Sequence, residues 1–349
     1  MKLNRRQFLA AGLASPLLAQ RAAPGPLFDR GFAQVSRIAE GVYVTIADPA
    51  KGEQCLSNGG VIHGRDAVLI VEGHFQPAGA ALEIEVARSV SKAPVRAAVD
   101  THYHLDHTFG NSAYAAQGIP IMAHEKVASL MKERYADLKG ADKAPLLRPM
   151  EQKLARAGSA EERQHRQSDL NAWQWMFAAI DAATLAYPTE PLAPAALPKR
   201  VELGGVTAVI EALPGHTPAD LIVRVPERDV VFTGDLLFYR SFPVTFDSDM
   251  IAWRKTLDRF AGYPARTRFV PGHGPVCGME TVRDHGALAD DLRAHAEKML
   301  RAGADVEEAE RGYVVPQRFH DYELFSWNLC VGGAMRSLFA GLAAKPAPR

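Results

Sequence analysis

The spacing of hydrophobic and polar positions changes several times along the chain, and the changes mark out its elements. Short apolar runs bounded by turn residues predict strands over 41–47, 60–63 and 67–72, the last two joined by Gly64-Arg65-Asp66. Val95 to Val99 is a further buried strand, followed by a short helix over 111–117 and a strand over 119–123. Residues 201–212 and 221–232 supply a second set of strands, the latter turning at Pro226-Glu227-Arg228-Asp229, and 267–270 adds another. Between about 125 and 199 the period lengthens. Val127, Leu130, Met131, Tyr135 and Leu138 recur at helical spacing, as do Leu170, Trp173, Phe177 and Ile180. Pro188, Pro191, Pro194 and Pro198 then end this helical insertion. Helices are also expected over 250–261, 281–301 and 321–342, with Val282, Leu292, Met299 and Leu300 on one face of the middle one.

Charge narrows the range of partners. Forty basic and forty acidic residues cancel, so no net field favours nucleic acid or an anionic membrane. A chain of 349 residues, less any leader, is expected to form one large domain over 26–349. Cys55, Cys277 and Cys330 are scattered, with no C-x-x-C spacing, and read as buried or incidental thiols. At the amino terminus, Arg5-Arg6-Gln7-Phe8-Leu9 precedes a mostly apolar stretch to Ala19. That stretch is too short to span about 30 Å of hydrocarbon as a helix. It resembles a twin-arginine export signal. Residues 1–25 are therefore set apart as a signal peptide, with the twin-arginine machinery as partner, a periplasmic or exported location, and no stable membrane span after processing.

The chemistry is concentrated at four places. Thr101-His102-Tyr103-His104-Leu105-Asp106-His107 packs three imidazoles and a carboxylate into six residues just after the apolar run ending at Val99. Pro214-Gly215-His216-Thr217-Pro218, Phe232-Thr233-Gly234-Asp235 and Pro271-Gly272-His273-Gly274 each set one further donor beside a tight turn. Imidazole nitrogen and carboxylate oxygen are the atoms that borderline cations such as Zn²⁺ bind. Any one of the three single-donor loops is weak evidence; all four in this order are strong.

With these motifs the chain resembles the metallo-β-lactamase-fold hydrolase superfamily over roughly residues 37–280. The resemblance implies an α/β fold, an αββα sandwich of two mixed sheets flanked by helices, with the helical insertion at about 125–199 and C-terminal helices at about 281–342. It implies that His102, His104 and His216 bind one metal, that Asp106, His107 and His273 bind a second, and that Asp235 bridges them. Two Zn²⁺ ions are expected, with iron or manganese as alternatives. A hydroxide shared by the metals would cleave an ester, thioester, lactone or amide bond of a small molecule, β-lactams included. Asp106 would be the catalytic residue, orienting that hydroxide and moving its proton. The charge balance weighs against the superfamily's nucleases. Alternatives on the same site are an iron-dependent persulfide dioxygenase and a periplasmic accessory metalloprotein of sulfur or quinoprotein metabolism.

Departures from relatives refine the expectation. Asp235 stands where the best-known zinc β-lactamases carry cysteine, and Phe238 where they carry a lysine, so the site resembles glyoxalase II more. Ala219 and Asp220 replace the glycine and second histidine that many relatives have, and Glu72-Gly73-His74 replaces D-T-G. Asp100, Asp220 and Glu72 are candidates to hold the second ring nitrogen of ligand histidines. Arg240 and Tyr239 are candidates to meet a substrate carboxylate. Trp173, Trp175, Met176 and Phe177 are candidates to line a pocket under a lid formed by the insertion. His124 is read as a non-ligand, and His285, His295 and His320 as surface residues. Phe325, Trp327, Leu329 and Leu338 are expected to pack on the sheet or on a neighbouring subunit.

Overall fold

The computed structural model describes residues 26–343, so the expected export signal lies outside the described residues. Two sheets pack face to face. The first has eight strands in sequence order: β1 (Phe28–Asp29), β2 (Ala33–Ala39), β3 (Val42–Ala47), β4 (Gly59–His63), β5 (Val68–Val71), β6 (Val95–Val99), β7 (Ile121–His124) and β8 (Glu190–Leu192). It is antiparallel through β5 and parallel from β5 to β8. The second holds β9 (Lys199–Glu202), β10 (Thr207–Ala212), β11 (Leu221–Val225), β12 (Val230–Phe238) and β13 (Arg268–His273), with only β12 and β13 parallel.

Helices cover both outer faces: α1 (Pro77–Val90), α2 (Leu105–Thr108), α3 (Ser112–Ala116), α4 (Val127–Met131), α5 (Ala144–Ala155), α6 (Ala160–Ala182), α7 (Met250–Ala261), α8 (Met279–Arg301), α9 (Val306–Gly312) and α10 (Gly333–Ala343). Val44, Ile62, Leu69, Val71 and Val99 meet Ile210, Leu221, Val223 and Phe232 between the sheets. Ile70 and Val61 turn the other way, onto Leu82 and Val86 of α1. This explains why β5 reads as an unbroken apolar run: both of its faces are covered. On the far side, Leu237 and Phe269 pack with Trp253, Leu257 and Phe260 of α7 and with Leu288 and Leu292 of α8. The mixed α/β sandwich expected from the motifs is the fold observed.

Several elements differ from the sequence reading. The run 201–212 is broken by a two-residue hairpin at Gly204-Gly205, whose φ angles of +87° and +88° suit glycine, and Leu203 N–H donates to Val206 O at 2.9 Å to close it. The strand expected to stop at Phe232 continues to Phe238, with register irregularities that let Asp235 sit within β12. Strand β2, helix α1 and helix α9 had no counterpart in the pattern. Helix α9 nevertheless carries a legible signal, a capping box in which Asp305 and Glu308 satisfy each other's backbone N–H groups. The helix expected over 321–342 starts only at Asn328, as a wide turn that leads into α10. Residues 321–326 are instead irregular, with one bridge at Glu323, and Asp321, Glu323, Leu324 and Phe325 line the cavity described below.

The insertion is tied down by buried polar contacts. Arg166 of α6 donates to Glu310 of α9 at 2.8 Å. Asp169 accepts from Ser326 Oγ at 2.7 Å and from the Asn328 N–H at 2.8 Å. Phe177 and Ile180 pack on Tyr103, Leu105 and Phe109 of the ligand loop. The Tyr103 hydroxyl donates to Asp247, which also accepts from Arg134 of the insertion at 3.0 Å.

Candidate metal centre

Every ligand candidate stands where a strand leaves a sheet or just inside one. β6 runs out through Asp100 into the loop bearing His102 and His104, and α2 then presents Asp106 and His107 from its first turn. His216 follows β10, Asp235 lies in β12 and His273 ends β13. Two sheets thereby deliver their donors to one edge. Gly272 comes so close to Asp235 Oδ1 that any Cβ there would collide with it, which explains the glycine before His273.

The seven side chains form two adjoining groups. His102, His104, His216 and Asp235 each offer an atom within 4.8 Å of the others, and so do Asp106, His107 and His273. Asp235 faces both groups. Its Oδ2 lies 3.3 Å from His216 Nε2 and 3.9 Å from His102 Nε2. Its Oδ1 lies 3.2 Å from His107 Nε2 and 3.3 Å from His273 Nε2. Asp106 Oδ2 is 3.3 Å from both His107 Nε2 and His273 Nε2. His216 Nε2 and His104 Nδ1 approach to 2.9 Å. His102 Nε2, His107 Nε2 and Asp235 Oδ1 are buried with no hydrogen-bond partner. Such atoms are costly to bury unless something pairs with them. Five imidazoles and two carboxylates with converging, otherwise orphaned atoms fit divalent cations of the zinc type.

Three of the five rings have a polar neighbour at the opposite nitrogen, whereas His216 Nδ1 and His104 Nε2 are buried without a partner. His273 Nδ1 meets Leu56 O at 3.0 Å, His102 Nδ1 meets Thr101 Oγ1 at 3.1 Å, and His107 Nδ1 lies 3.0 Å from Glu72 Oε2. Glu72 also accepts from Thr101 Oγ1 at 2.8 Å and from the Thr101 N–H at 3.2 Å. Its φ of +87° is unfavourable for a residue with a Cβ and is maintained by these contacts. Of the three carboxylates considered for this role, only Glu72 reaches a ligand histidine. Asp220 accepts from the Thr217 N–H at 2.8 Å, and Asp100 accepts from Asn111 Nδ2 at 2.8 Å. Glu72→Gln is expected to weaken metal affinity by about 10- to 100-fold, read by chelator competition, because it removes the anionic acceptor for His107.

The protein's own charges divide the site. Burial lowers His104 to about 4 and His216 to about 3, and holds His102 well below the usual imidazole range. Burial acts the same way on His107 and His273, but Asp106 and Asp235 outweigh it, lifting His107 well above its ordinary value and His273 to about 10. Burial pushes Asp106 and Asp235 upward, yet His107 and His273 hold both carboxyls well below the usual range. One group is thus neutral imidazole, ready to bind a cation. The other is an imidazolium–carboxylate cluster that must release protons as a cation enters.

Comparison with known proteins places this arrangement. Residues 52–273 match the Metallo-beta-lactamase superfamily. The chain belongs to that superfamily. Among solved structures, the metallo-beta-lactamase from Pontibacter korlensis superposes with a TM-score of 0.53 at 18% identity, over 74% of this chain and 99% of that one. The metallo-beta-lactamase FIM-1 from Pseudomonas aeruginosa, in its mono-zinc form, gives 0.51 at 23% identity, over 74% and 95%. Both are alike in fold. A hydroxyacylglutathione hydrolase of Hyphomonas neptunium is 32% identical over 73 residues, 21% of this chain and 28% of that protein. A linear primary-alkylsulfatase of a Pseudomonas species is 24% identical over 223 residues, 60% of this chain and 40% of that protein. An uncharacterised protein of Mycobacterium tuberculosis is 34% identical over 83 residues, 22% of this chain and 37% of that protein. The chain therefore spans about a quarter to two fifths of the length of these curated relatives.

Within the superfamily fold, a cavity of about 830 Å³ opens onto His104, Asp106, Asp235 and His273. Trp175 and Met176 of α6 line it. Phe177 is buried against the ligand loop instead, and Trp173 packs in the same cluster. Phe325 is 48% exposed and lines the cavity, contrary to its expected packing role, whereas Trp327, Leu329 and Leu338 are buried. Arg240 and Tyr239 also reach the cavity, but Arg240 is paired with Asp321. His285, expected at the surface, is buried edge-on to Trp253 and lowered by burial to about 3. The helical register explains this, since position 285 shares the buried face of α8 with Val282, Ala289 and Leu292. His320 is exposed and His295 half-buried, its Nε2 2.8 Å from Ala309 O. His124 lies apart from both ligand groups, its Nδ1 accepting from the Lys126 N–H at 3.3 Å. Among the cavity residues not singled out from the sequence are Glu53, Asp321 and Glu323; all three lie in irregular segments, the last two where a helix was expected.

Proposed function

We propose that this chain is an exported, zinc-dependent hydrolase that cleaves an ester, thioester, lactone or amide bond of a small molecule at a two-metal centre. The observation that carries this reading is Asp235, whose two oxygens face two separate groups of ligand atoms at the floor of one cavity. His102, His104 and His216 would hold one cation with Asp235 Oδ2, and Asp106, His107 and His273 the other with Asp235 Oδ1. When bound, the cations supply a nucleophilic water near neutral pH, by lowering its pKa from about 15.7 to about 7, and a Lewis acid for the carbonyl.

The chain's own groups do the rest. Asp106, kept ionised by His107 and His273, opens onto the cavity and accepts the proton of the attacking water at its carboxylate. Glu72 and Leu56 O fix the planes of His107 and His273. Aromatic side chains, Phe238, Phe246 and Trp175 among them, wall the cavity beside the reacting bond. Similarity to a hydroxyacylglutathione hydrolase supports the thioester or ester side of the range, as do Asp235 and Phe238 at the positions that separate this site from the best-known zinc β-lactamases. The paired Arg5-Arg6 and the apolar stretch after them support export by the twin-arginine route.

The test is a panel of chromogenic esters, thioesters, lactones and a cephalosporin on protein of measured metal content. Turnover is expected to rise with zinc up to about two ions per chain. No turnover in fully loaded protein, or oxygen uptake with a persulfide instead, would overturn the proposal.

A further inference from the structure

We infer that the cavity selects an uncharged substrate carrying a bulky apolar group next to the scissile bond, and discriminates against substrates that carry a carboxylate. This rests on the hydrolytic reading for the bond cleaved, but the selection itself belongs to the walls. Apolar surface begins at the ligand rings: Phe246 stacks on His104 with centroids 5.1 Å apart, and Phe238 on His273 at 5.5 Å. It continues outward through Phe242, Trp175 and Phe325, the last two in edge contact at 6.1 Å. About 830 Å³ bounded in this way accommodates a molecule of drug size, far more than an acetyl group fills.

The charges at the mouth point the same way. Outside the seven ligand candidates, the lining holds three carboxylates, Glu53, Asp321 and Glu323, against a single guanidinium, Arg240. Arg240 is engaged by Asp321 and lies over the Tyr322 ring, 5.9 Å from its centroid. Glu53 accepts from Trp175 Nε1 at 3.3 Å and so holds an apolar wall in place. Glu323 remains as uncompensated negative charge, since its contacts to Ser241 and Phe242 use its backbone oxygen. A carboxylate entering here would leave water with Arg240 already engaged by Asp321 and His273 by Asp106 and Asp235, so no unpaired cation among the described lining residues receives it. A neutral apolar group gives up nothing comparable.

Binding to the full chain stripped of metal by chelation tests the walls separately from the chemistry. Octanamide and octanoate are matched in length and differ in charge, and isothermal titration reads both. Octanamide is expected to bind at least about tenfold more tightly than octanoate. Phe325→Ala, at a half-exposed position, should weaken octanamide about fivefold. Asp321→Asn frees Arg240 and should shift the octanoate-to-octanamide affinity ratio about threefold toward octanoate. Octanoate binding as tightly as octanamide, no binding of either, or an unchanged ratio in Asp321→Asn would each overturn the inference. If zinc-loaded protein binds octanamide in the expected order yet hydrolyses neither p-nitrophenyl octanoate nor any ester, the hydrolytic reading fails and this one stands.

Discussion

On the proposed two-metal reading, replacing Asp235 with alanine is expected to reduce turnover on the order of a thousandfold and to lower the bound metal to one ion per chain or none. The magnitude follows from its place. Its Oδ1 and Oδ2 are the atoms shared between the two ligand groups, each 3.2 to 3.3 Å from a histidine nitrogen of its own side. Removing them leaves five imidazoles facing one another with only the Asp106 carboxylate to offset the charge of incoming cations. Metal analysis of gel-filtered protein and steady-state kinetics on one chromogenic ester read both effects. A variant that retains two ions and activity within about tenfold of the parent would mean that Asp235 does not join the two halves.

The second large effect concerns stability. Arg166→Leu is expected to cost about 3–5 kcal/mol, seen as a lower denaturation midpoint in urea with little change in slope. Arg166 is almost fully buried between Glu310 at 2.8 Å and Asp169 at 3.6 Å, and those carboxylates are buried as well. Leucine would leave both anions in the interior with their counter-charge gone. The double variant Arg166→Leu with Glu310→Met should recover part of the loss, because removing a buried pair together is far less costly than removing one partner. The effect reaches the site, since α6 carries Trp175 and Met176 while Asp169 holds the segment ending in Asn328 that runs past Phe325. If Arg166→Leu left the midpoint within about 1 kcal/mol of the parent, the network would not be what secures the insertion.

These two residues mark the limits of sequence reading. Asp235 was legible because a carboxylate after an apolar run and a Thr-Gly turn, in register with three histidine-bearing loops, has few other uses. Arg166 was not, because an arginine on a helix reads as solvated until its partners, 144 residues away in the case of Glu310, are seen beside it. The strands were legible wherever one or both faces are apolar, and β5 is the clearest case. Boundaries went astray where local pattern and tertiary context disagree. The stretch 321–326 was expected to be helical but is irregular along the cavity, held through backbone bonds such as Phe242 N–H to Glu323 O at 2.8 Å. His285 lies outside the ligand motifs and is polar, which suggests the surface, but the helical register places it on the buried face of α8.

The amino-acid sequence by itself supplied the seven candidate donors, most strands and the helical insertion, since donor chemistry resides in single side chains and strand or helix period in their near neighbours; the sandwich came from the resemblance that the motifs carry. Tertiary structure alone decided which oxygen of Asp235 faces which group, that Glu72 rather than Asp100 or Asp220 anchors a ligand ring, and that Arg240 is already paired. Those facts depend on contacts between segments far apart in the chain, whose distances are set by packing of the two sheets and appear in no local pattern.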